Sequence, residues 1–312
     1  MCRSGHFRRL LCFGLLFFFC AELARAAPLK LALLPIPDAF PAYVAEAQNF
    51  FAAEGIEVQL LPVGSAAERD QLMQAGQIDG MINDLLSSAS LNRDKTRVKI
   101  IAIARAPLAG SPLFRIVAGK DSPVKSIGDL AGTPIAISRN TLNEYVAGKM
   151  LAALPPNSIV YQSLPSLPER LQLLLSGRIE AAVLPDPLGF AALTAGAREI
   201  VNDLSIADYS VSSISFAAAA VEGKTAEVKA FMRAWDKACI AINGNPEQFR
   251  PLFLHKIRVP KDIAAAYPIP QMPRHAVPEK KQWDEVMAWM VKTKLLDHPP
   301  RYEDAVTDAF LP

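Results

Sequence analysis

Gly64–Asp84 reads GSAAERDQLMQAGQIDGMIND, and 101 residues later Pro165–Pro185 reads PSLPERLQLLLSGRIEAAVLP. Laid over one another without a gap, Ser65, Glu68, Arg69, Gln71, Leu72, Gly76 and Ile78 fall on Ser166, Glu169, Arg170, Gln172, Leu173, Gly177 and Ile179. Asp79 falls on Glu180, a swap that keeps the charge. The shared pattern S-x-x-E-R-x-Q-L-x-x-x-G-x-I-[DE] has a physical meaning. Serine followed three residues later by glutamate is a capping box, which opens a helix. Leu72 and Leu173 lie on the apolar stripes of those helices, and Gly76 and Gly177 supply the left-handed residue that ends each one. The short apolar runs that follow, GMIN and AAVL, have the length of buried strands. Each copy is therefore helix, turn, strand, half of a βαβ crossover. Two copies in register predict two related α/β lobes.

The 312-residue length suits about two domains. An apolar fraction of 51% with 21% charged residues is ordinary for a globular chain and excludes a low-complexity one. Residues 1–26 read as a secretory signal peptide: Arg3, Arg8 and Arg9 form a basic start, Leu10–Ala21 is apolar, and Ala24-Arg25-Ala26 is a small-x-small cleavage site. The apolar run is too short to span a bilayer. Bulky Phe19 before Cys20 argues against lipid attachment there. Loss of Arg3, Arg8, Arg9, Arg25 and Glu22 turns 33 basic and 31 acidic residues into 29 and 30, a mature net charge of −1. A nucleic-acid footprint is therefore absent. Cys2, Cys12 and Cys20 leave with the same segment, so Cys239 has no intrachain disulfide partner in an oxidising compartment. A free periplasmic protein beginning at Ala27 is expected, and a monomer.

Taken in order, the mature chain alternates apolar strands with helices. Leu29–Ile36 is the first strand; Asp38 is a plausible cap for the helix that Pro41 opens and Gly55 ends. Ile56–Val63 is the second strand, Asn83-Asp84 ends the third, and Val98–Ala104 is the fourth. The boundaries that follow assign residues 27–106 to the first lobe, 107–112 to a hinge, 113–204 to the second lobe and 205–213 to a return hinge. Residues 214–312 rejoin the first lobe, beginning with a strand over Ile214–Val221 and continuing as amphipathic helices bearing Trp235, Trp283 and Trp289. The proline-rich stretch Tyr267–Pro278 interrupts those helices.

The opening, LKLALLPIPDAFPAYVAEAQNFFAAEGIEVQLLPVGSAAERDQLMQAGQIDGMIND, resembles ABC-transporter periplasmic binding proteins of the NMT1/THI5-like and SsuA/TauA group. Asp129-Leu130-x-Gly132-x-Pro134-Ile135 is similar to that group's entry to the second lobe. Trp289-Met290 and Phe310-Leu311-Pro312 resemble the closing pattern of its pyrimidine-binding branch. The resemblance spans nearly all of the mature chain and lies in the order of the motifs. It implies an α/β fold of two lobes, the type II periplasmic-binding clamshell, each lobe a mixed sheet flanked by helices, with a helical C-terminal extension. It also implies an ABC permease and its ATPase as partners.

Independently of family, open α/β sheets bind ligands outside the carboxyl ends of their strands, near helix N-termini. That rule selects Asp38, Phe40, Ser65, Asn83 and Asp84 from the first lobe, and Ser138, Arg139, Asn140, Thr141 and Asp186 from the second. Each also has a structural reading. Asp38, Ser65, Asp84, Ser138 and Asp186 can cap helices, Phe40 can belong to the core, and Arg139 can form a surface ion pair. Three carboxylates at strand ends disfavour an oxyanion and favour an amine-bearing or neutral small molecule, such as a pyrimidine-like ring on Phe40. Ser138–Thr141 keeps a sulfonate- or nitrate-like anion open. No catalytic constellation, cofactor motif or metal-ligand spacing is found; His255, His275 and His298 lie in the extension. Related enzymes remain the alternative: a pyrimidine synthase lacks its cysteine-rich iron motif here, and a chorismate-dehydratase-like activity conflicts with export. An exported sensor module is the third class.

Overall fold

A computed structural model describes residues 27–312, so the expected signal peptide over residues 1–26 lies outside the described residues. Two five-stranded mixed sheets carry the fold. In the first lobe the chain makes β1 (Leu29–Leu33), α1 (Phe40–Ala47), α2 (Phe50–Ala53), β2 (Val58–Pro62), α3 (Ala66–Gln74), β3 (Gly80–Asp84), α4 (Leu85–Leu91) and β4 (Val98–Arg105). It then enters the second sheet with β5 (Phe114–Ala118), β6 (Pro134–Ile137), α5 (Leu142–Met150), β7 (Val160–Ser163), α6 (Leu167–Leu175), β8 (Ala181–Pro185), α7 (Leu188–Thr194) and β9 (Arg198–Asn202). It returns as β10 (Ser212–Ala217), followed by α8 (Ala218–Gly223), α9 (Thr225–Gly244), α10 (Arg250–Lys256), α11 (Lys280–Lys292) and α12 (Tyr302–Ala305).

The sheet orders are β2-β1-β3-β10-β4 and β7-β6-β8-β5-β9. The two match strand for strand. In each, four strands run parallel, and the one antiparallel strand, β10 or β5, is the strand that has just crossed from the other lobe. The repeat seen in the sequence occupies the same place in both: α3 with β3, and α6 with β8. Gly76 and Gly177 have φ of +67° and +69°, the left-handed region that favours glycine. The amide after each closes the helix on the residue four before the glycine, Gln77 to Leu72 at 3.0 Å and Arg178 to Leu173 at 2.9 Å.

The arginines of the repeat also do the same thing. Arg69 is buried, and its Nη1 donates to the carbonyl of Ile82 at 3.1 Å. Arg170 is buried, and its Nη1 donates to the carbonyl of Val183 at 2.6 Å. Each tethers its helix to the middle of the strand that follows. A buried guanidinium is costly unless its donors are used, and Arg170 uses them fully, on Leu164, Asn143 and Ser138 as well.

Apolar strands without alternation, such as FRIVA in β5 with every residue buried, mark sheets covered on both faces. On α9, Val228, Phe231, Trp235, Ala238, Cys239 and Ile242 recur at helical spacing and are buried. Phe231 stacks on Phe51 at 5.5 Å and meets Phe216 edge-on at 5.4 Å. Each such ring contributes roughly 1.5–3 kcal/mol by leaving water. The extension joins both lobes: α11 packs on α4, and its Glu285 accepts from Lys149 of α5 and from the Tyr209 hydroxyl at 2.8 Å.

Several local expectations are corrected. The helix expected up to Gly55 is two, because Asn49 adopts φ +56° between α1 and α2. Strand Ile214–Val221 stops at Ala217, where α8 begins. Ser65 caps α3 by accepting from Glu68 N at 3.2 Å, but Glu68 returns to Gly64 N at 2.7 Å rather than to the amide of Ser65. Ser166 makes no side-chain cap, and proline stands in the first turn of α6. The second copy thus keeps the helix without the capping box.

Candidate functional site

The carboxyl ends of β1, β3 and β4 form one edge of the first sheet, and the chain reaches the second lobe from there. Arg105, the last residue of β4, is the central group. It pairs in register with Ser212, the first residue of β10, which also pairs with Asp84 at the end of β3. Arg105 is only 2% exposed. Its Nη1 reaches Asp38 Oδ1 at 3.4 Å, while Nε and Nη2 have no hydrogen-bond partner among the described residues. The Ser212 hydroxyl is buried and likewise unpaired. Burial pushes the Arg105 guanidinium down, but the Tyr267 phenol and the carboxylates of Asp38 and Asp186 outweigh it and hold the group above its ordinary value. Tyr267 lies beside Arg105 without an aligned hydrogen bond to Nε or Nη2. Burial raises its phenol to about 12, against the opposing pull of Arg105.

Asp186 brings the second lobe to the same place. It follows β8 and is gripped on both oxygens by Arg115, at 2.9 Å from Nε and 3.2 Å from Nη2. Its Oδ1 also accepts from Phe190 N at 3.1 Å, opening α7 although Pro187 holds the N-cap position. Glu199 takes the remaining Nη1 of Arg115. Gly189 is required here: a Cβ would stand 2.8 Å from both Arg115 Cδ and Asp186 Oδ1. Phe190 then meets Tyr267 edge-on at 5.4 Å, so the start of α7 in the second lobe touches the extension at Tyr267. Asp203 fastens the two crossings between sheets, its oxygens each accepting at 3.1 Å from the amides of Leu113 and Phe114.

The residues selected from the sequence divide accordingly. Asp38 and Asp186 meet around Arg105, and Asp84 stands at the same edge as the cap of α4, accepting from Ser87 N at 2.9 Å. Asp38 does not cap a helix; it faces Arg105 instead. Asn83 sits inside a buried network, donating to Ser88 Oγ at 2.8 Å and accepting from Ser213 at 3.0 Å and Ser215 at 2.7 Å. Phe40 is fully buried and edge-on to Phe253 at 4.9 Å, a core ring. Ser65 is exposed at the start of α3. On the Ser138–Thr141 loop, Ser138 is held by Arg170 at 2.6 Å and Thr141 caps α5. Exposed Arg139 pairs with Glu144 at 3.0 Å, and Asn140, at φ +59°, donates its amide to Glu144 at 2.6 Å. Asp84 and Asp186 are therefore engaged, and Asp38 has one long contact to Arg105, so the three do not form a free acceptor set.

Arg105, Arg115 and Tyr267 carry no motif. Arg105 has one sequence signal: a charge closing the otherwise apolar strand VKIIAIAR. Cys239 is fully buried on α9, and burial pushes its thiol far above the usual range, so it is an inert core side chain. Among the described residues, no group of histidine, cysteine, aspartate or glutamate is placed to hold a metal ion.

Comparison with known proteins agrees with this architecture. The periplasmic aliphatic sulphonate binding protein SsuA from Escherichia coli superposes with a TM-score of 0.77 at 14% identity, over 90% of this chain and 92% of that one. The zinc-bound ligand binding component of an ABC-type import system from Staphylococcus aureus gives 0.71 at 16% identity, over 90% and 97%. The desulfurization enzyme DszB gives 0.67 at 15%, over 90% and 97%. No curated protein matches the sequence. Residues 36–249 match the family model described as NMT1/THI5 like, well over half of the chain. The chain belongs to the NMT1/THI5-like family.

Proposed function

We propose that this protein is the solute-binding component of an ABC importer, exported by its leader and working in the periplasm. It captures a small organic molecule between its lobes and delivers it to a membrane permease served by an ATPase. One observation carries the reading: Arg105 and Asp38 of the first lobe, Asp186 of the second and Tyr267 of the extension converge at the ends of the strands, with two guanidinium nitrogens of Arg105 unpaired among the described residues. A site built from both lobes closes when its ligand touches both, and differential contact is what shifts such an equilibrium. The segments 106–113 and 203–211, which cross between the sheets, are the proposed hinges. The inert thiol of Cys239 supports binding without turnover against cysteine-based catalysis on this fold.

The test is thermal denaturation of the purified protein with fractions of a small-molecule cell extract, followed by mass spectrometry of the stabilising fraction. A specific solute at one hundred times its Kd stabilises by about 2.7 kcal/mol through mass action, and it is recovered unchanged. Conversion of that solute above the background rate contradicts the reading.

A further inference from the structure

Two buried arginines stand on either side of Asp186, Arg115 bonded to it and Arg105 within its field, and they use the same donor edge differently. Arg115 turns the edge carrying Nε and Nη2 onto Asp186, with Nε on Oδ1 at 2.9 Å and Nη2 on Oδ2 at 3.2 Å. The two N–H bonds of that edge run parallel and are spaced for the two oxygens of one planar carboxylate. On Arg105 the same pair, Nε and Nη2, is idle among the described residues. Its one engaged nitrogen, Nη1, lies 3.4 Å from Asp38, beyond the usual N–H···O range. Buried donors left without acceptors are costly, and a charged group more so. The Nε–Nη2 edge of Arg105 thus has the donor geometry that matches one carboxylate and carries no acceptor among the described residues.

Charge narrows the partner further. Arg105 and Arg115 balance Asp38 and Asp186, and Glu199 on Arg115 leaves the group one negative charge in excess. A plain anion would bury a second uncompensated charge. A neutral molecule would leave the Arg105 edge without an ionised acceptor. A zwitterion satisfies Arg105 and adds no net charge, and Asp38, whose single long contact is to Arg105, is placed to accept from a cationic nitrogen. Resting on the reading of this protein as a solute-binding component, we propose that its interlobe site takes an amino carboxylate, the carboxylate on the Nε–Nη2 edge of Arg105 and the ammonium on Asp38.

The experiment is calorimetric titration of protein freed of carried-over solute by unfolding and refolding. The probes are the L-amino acids, the matching carboxylic acids without the amine, the matching amines, taurine, alkanesulfonates and pyrimidines. A cell extract is run beside them by thermal shift. At least one amino carboxylate is expected to bind, and removal of either its amine or its carboxylate to weaken binding about tenfold or more. Arg105→Lys, which keeps the charge and loses the fork, is expected to weaken it about tenfold or more. Asp38→Asn serves as a second variant should Arg105→Lys not fold; it is expected to weaken the amino carboxylate and to leave the amine-free acid unchanged. Lys280→Ala, on an exposed pair with Asp284, is expected to change nothing. A sulfonate or pyrimidine that binds as tightly as the best amino carboxylate overturns the ligand class, as does full affinity in Arg105→Lys. So does an extract that stabilises the protein when no amino carboxylate binds. All three leave solute capture standing. If neither extract nor any probe stabilises the wild-type protein, solute capture itself is refuted.

Discussion

Asp203 makes the stability of this protein depend on pH in the direction opposite to most carboxylates. It is fully buried where the chain crosses back from the second sheet. Burial raises its carboxyl from 3.8 to about 6, and the amides of Leu113 and Phe114 offset only part of that shift. The Ser210 hydroxyl also lies close, but it makes no aligned hydrogen bond. A carboxyl whose pKa is higher folded than unfolded binds its proton more tightly in the native state. Its contribution to stability is complete below pH 3.8 and is lost as pH rises through 6. The width of the window multiplied by 1.36 kcal/mol per pH unit makes that contribution about 3 kcal/mol. Glu54, Asp236 and Glu285, held low by Lys237, Arg274 and Lys149 among others, act in the opposite sense, so the raw profile is a sum. Urea unfolding of wild type and Asp203→Asn between pH 4 and pH 7 isolates the term. The wild-type stability minus that of the variant should fall by about 2 kcal/mol from the acid to the neutral end. A flat difference, or one that rises with pH, refutes the burial argument for this residue.

Arg170→Met strands the carbonyls of Leu164 and Val183 and should cost about 3 kcal/mol in urea unfolding. Arg69→Met, with one such carbonyl, should cost less; equal losses would count against the assigned bonds. Asn83→Leu leaves the hydroxyls of Ser213 and Ser215 without their shared acceptor and should lower stability by about 2 kcal/mol, with an unchanged value contradicting the buried network. Gly189→Ala drives a methyl group into Arg115 and Asp186 and should cost about 1–3 kcal/mol in thermal melts, and a neutral result would show that α7 shifts freely.

Much of the fold was legible because its signals are local. Gly76 and Gly177 had to end helices, and apolar runs of four or five residues had to be buried strands. The gapless repeat then placed α3–β3 and α6–β8 in equivalent positions. The candidate site was less legible. Position at a strand end selected Asp38, Asp84 and Asp186, which stand near Arg105 or at the same sheet edge, and it also selected Ser65, Asn83 and Phe40. A capping serine, a network asparagine and a core ring occupy strand ends for reasons of stability, and the residue type is the same as for binding. Arg105 and Tyr267 stayed unread because their meaning is tertiary: a guanidinium at the end of β4 and a phenol in a proline-rich loop meet only when the chain has crossed twice. Charge had the same fault. Three aspartates looked like an acceptor set until Arg115 and Arg105 were seen to stand against two of them.

The claim on which the rest depends is that one solute is held by both lobes at once. Hydrogen exchange of the wild-type protein, with and without the solute that stabilises it, tests this most directly. The expected result is simultaneous protection of residues 35–40 and the end of β4 in the first lobe and of 186–190 in the second, together with the crossings 106–113 and 203–211 between them. Protection confined to one lobe would contradict the account. So would protection at the groove lined by Ala27, Glu54, Ile56, Glu227 and Arg233 on the far end of β1.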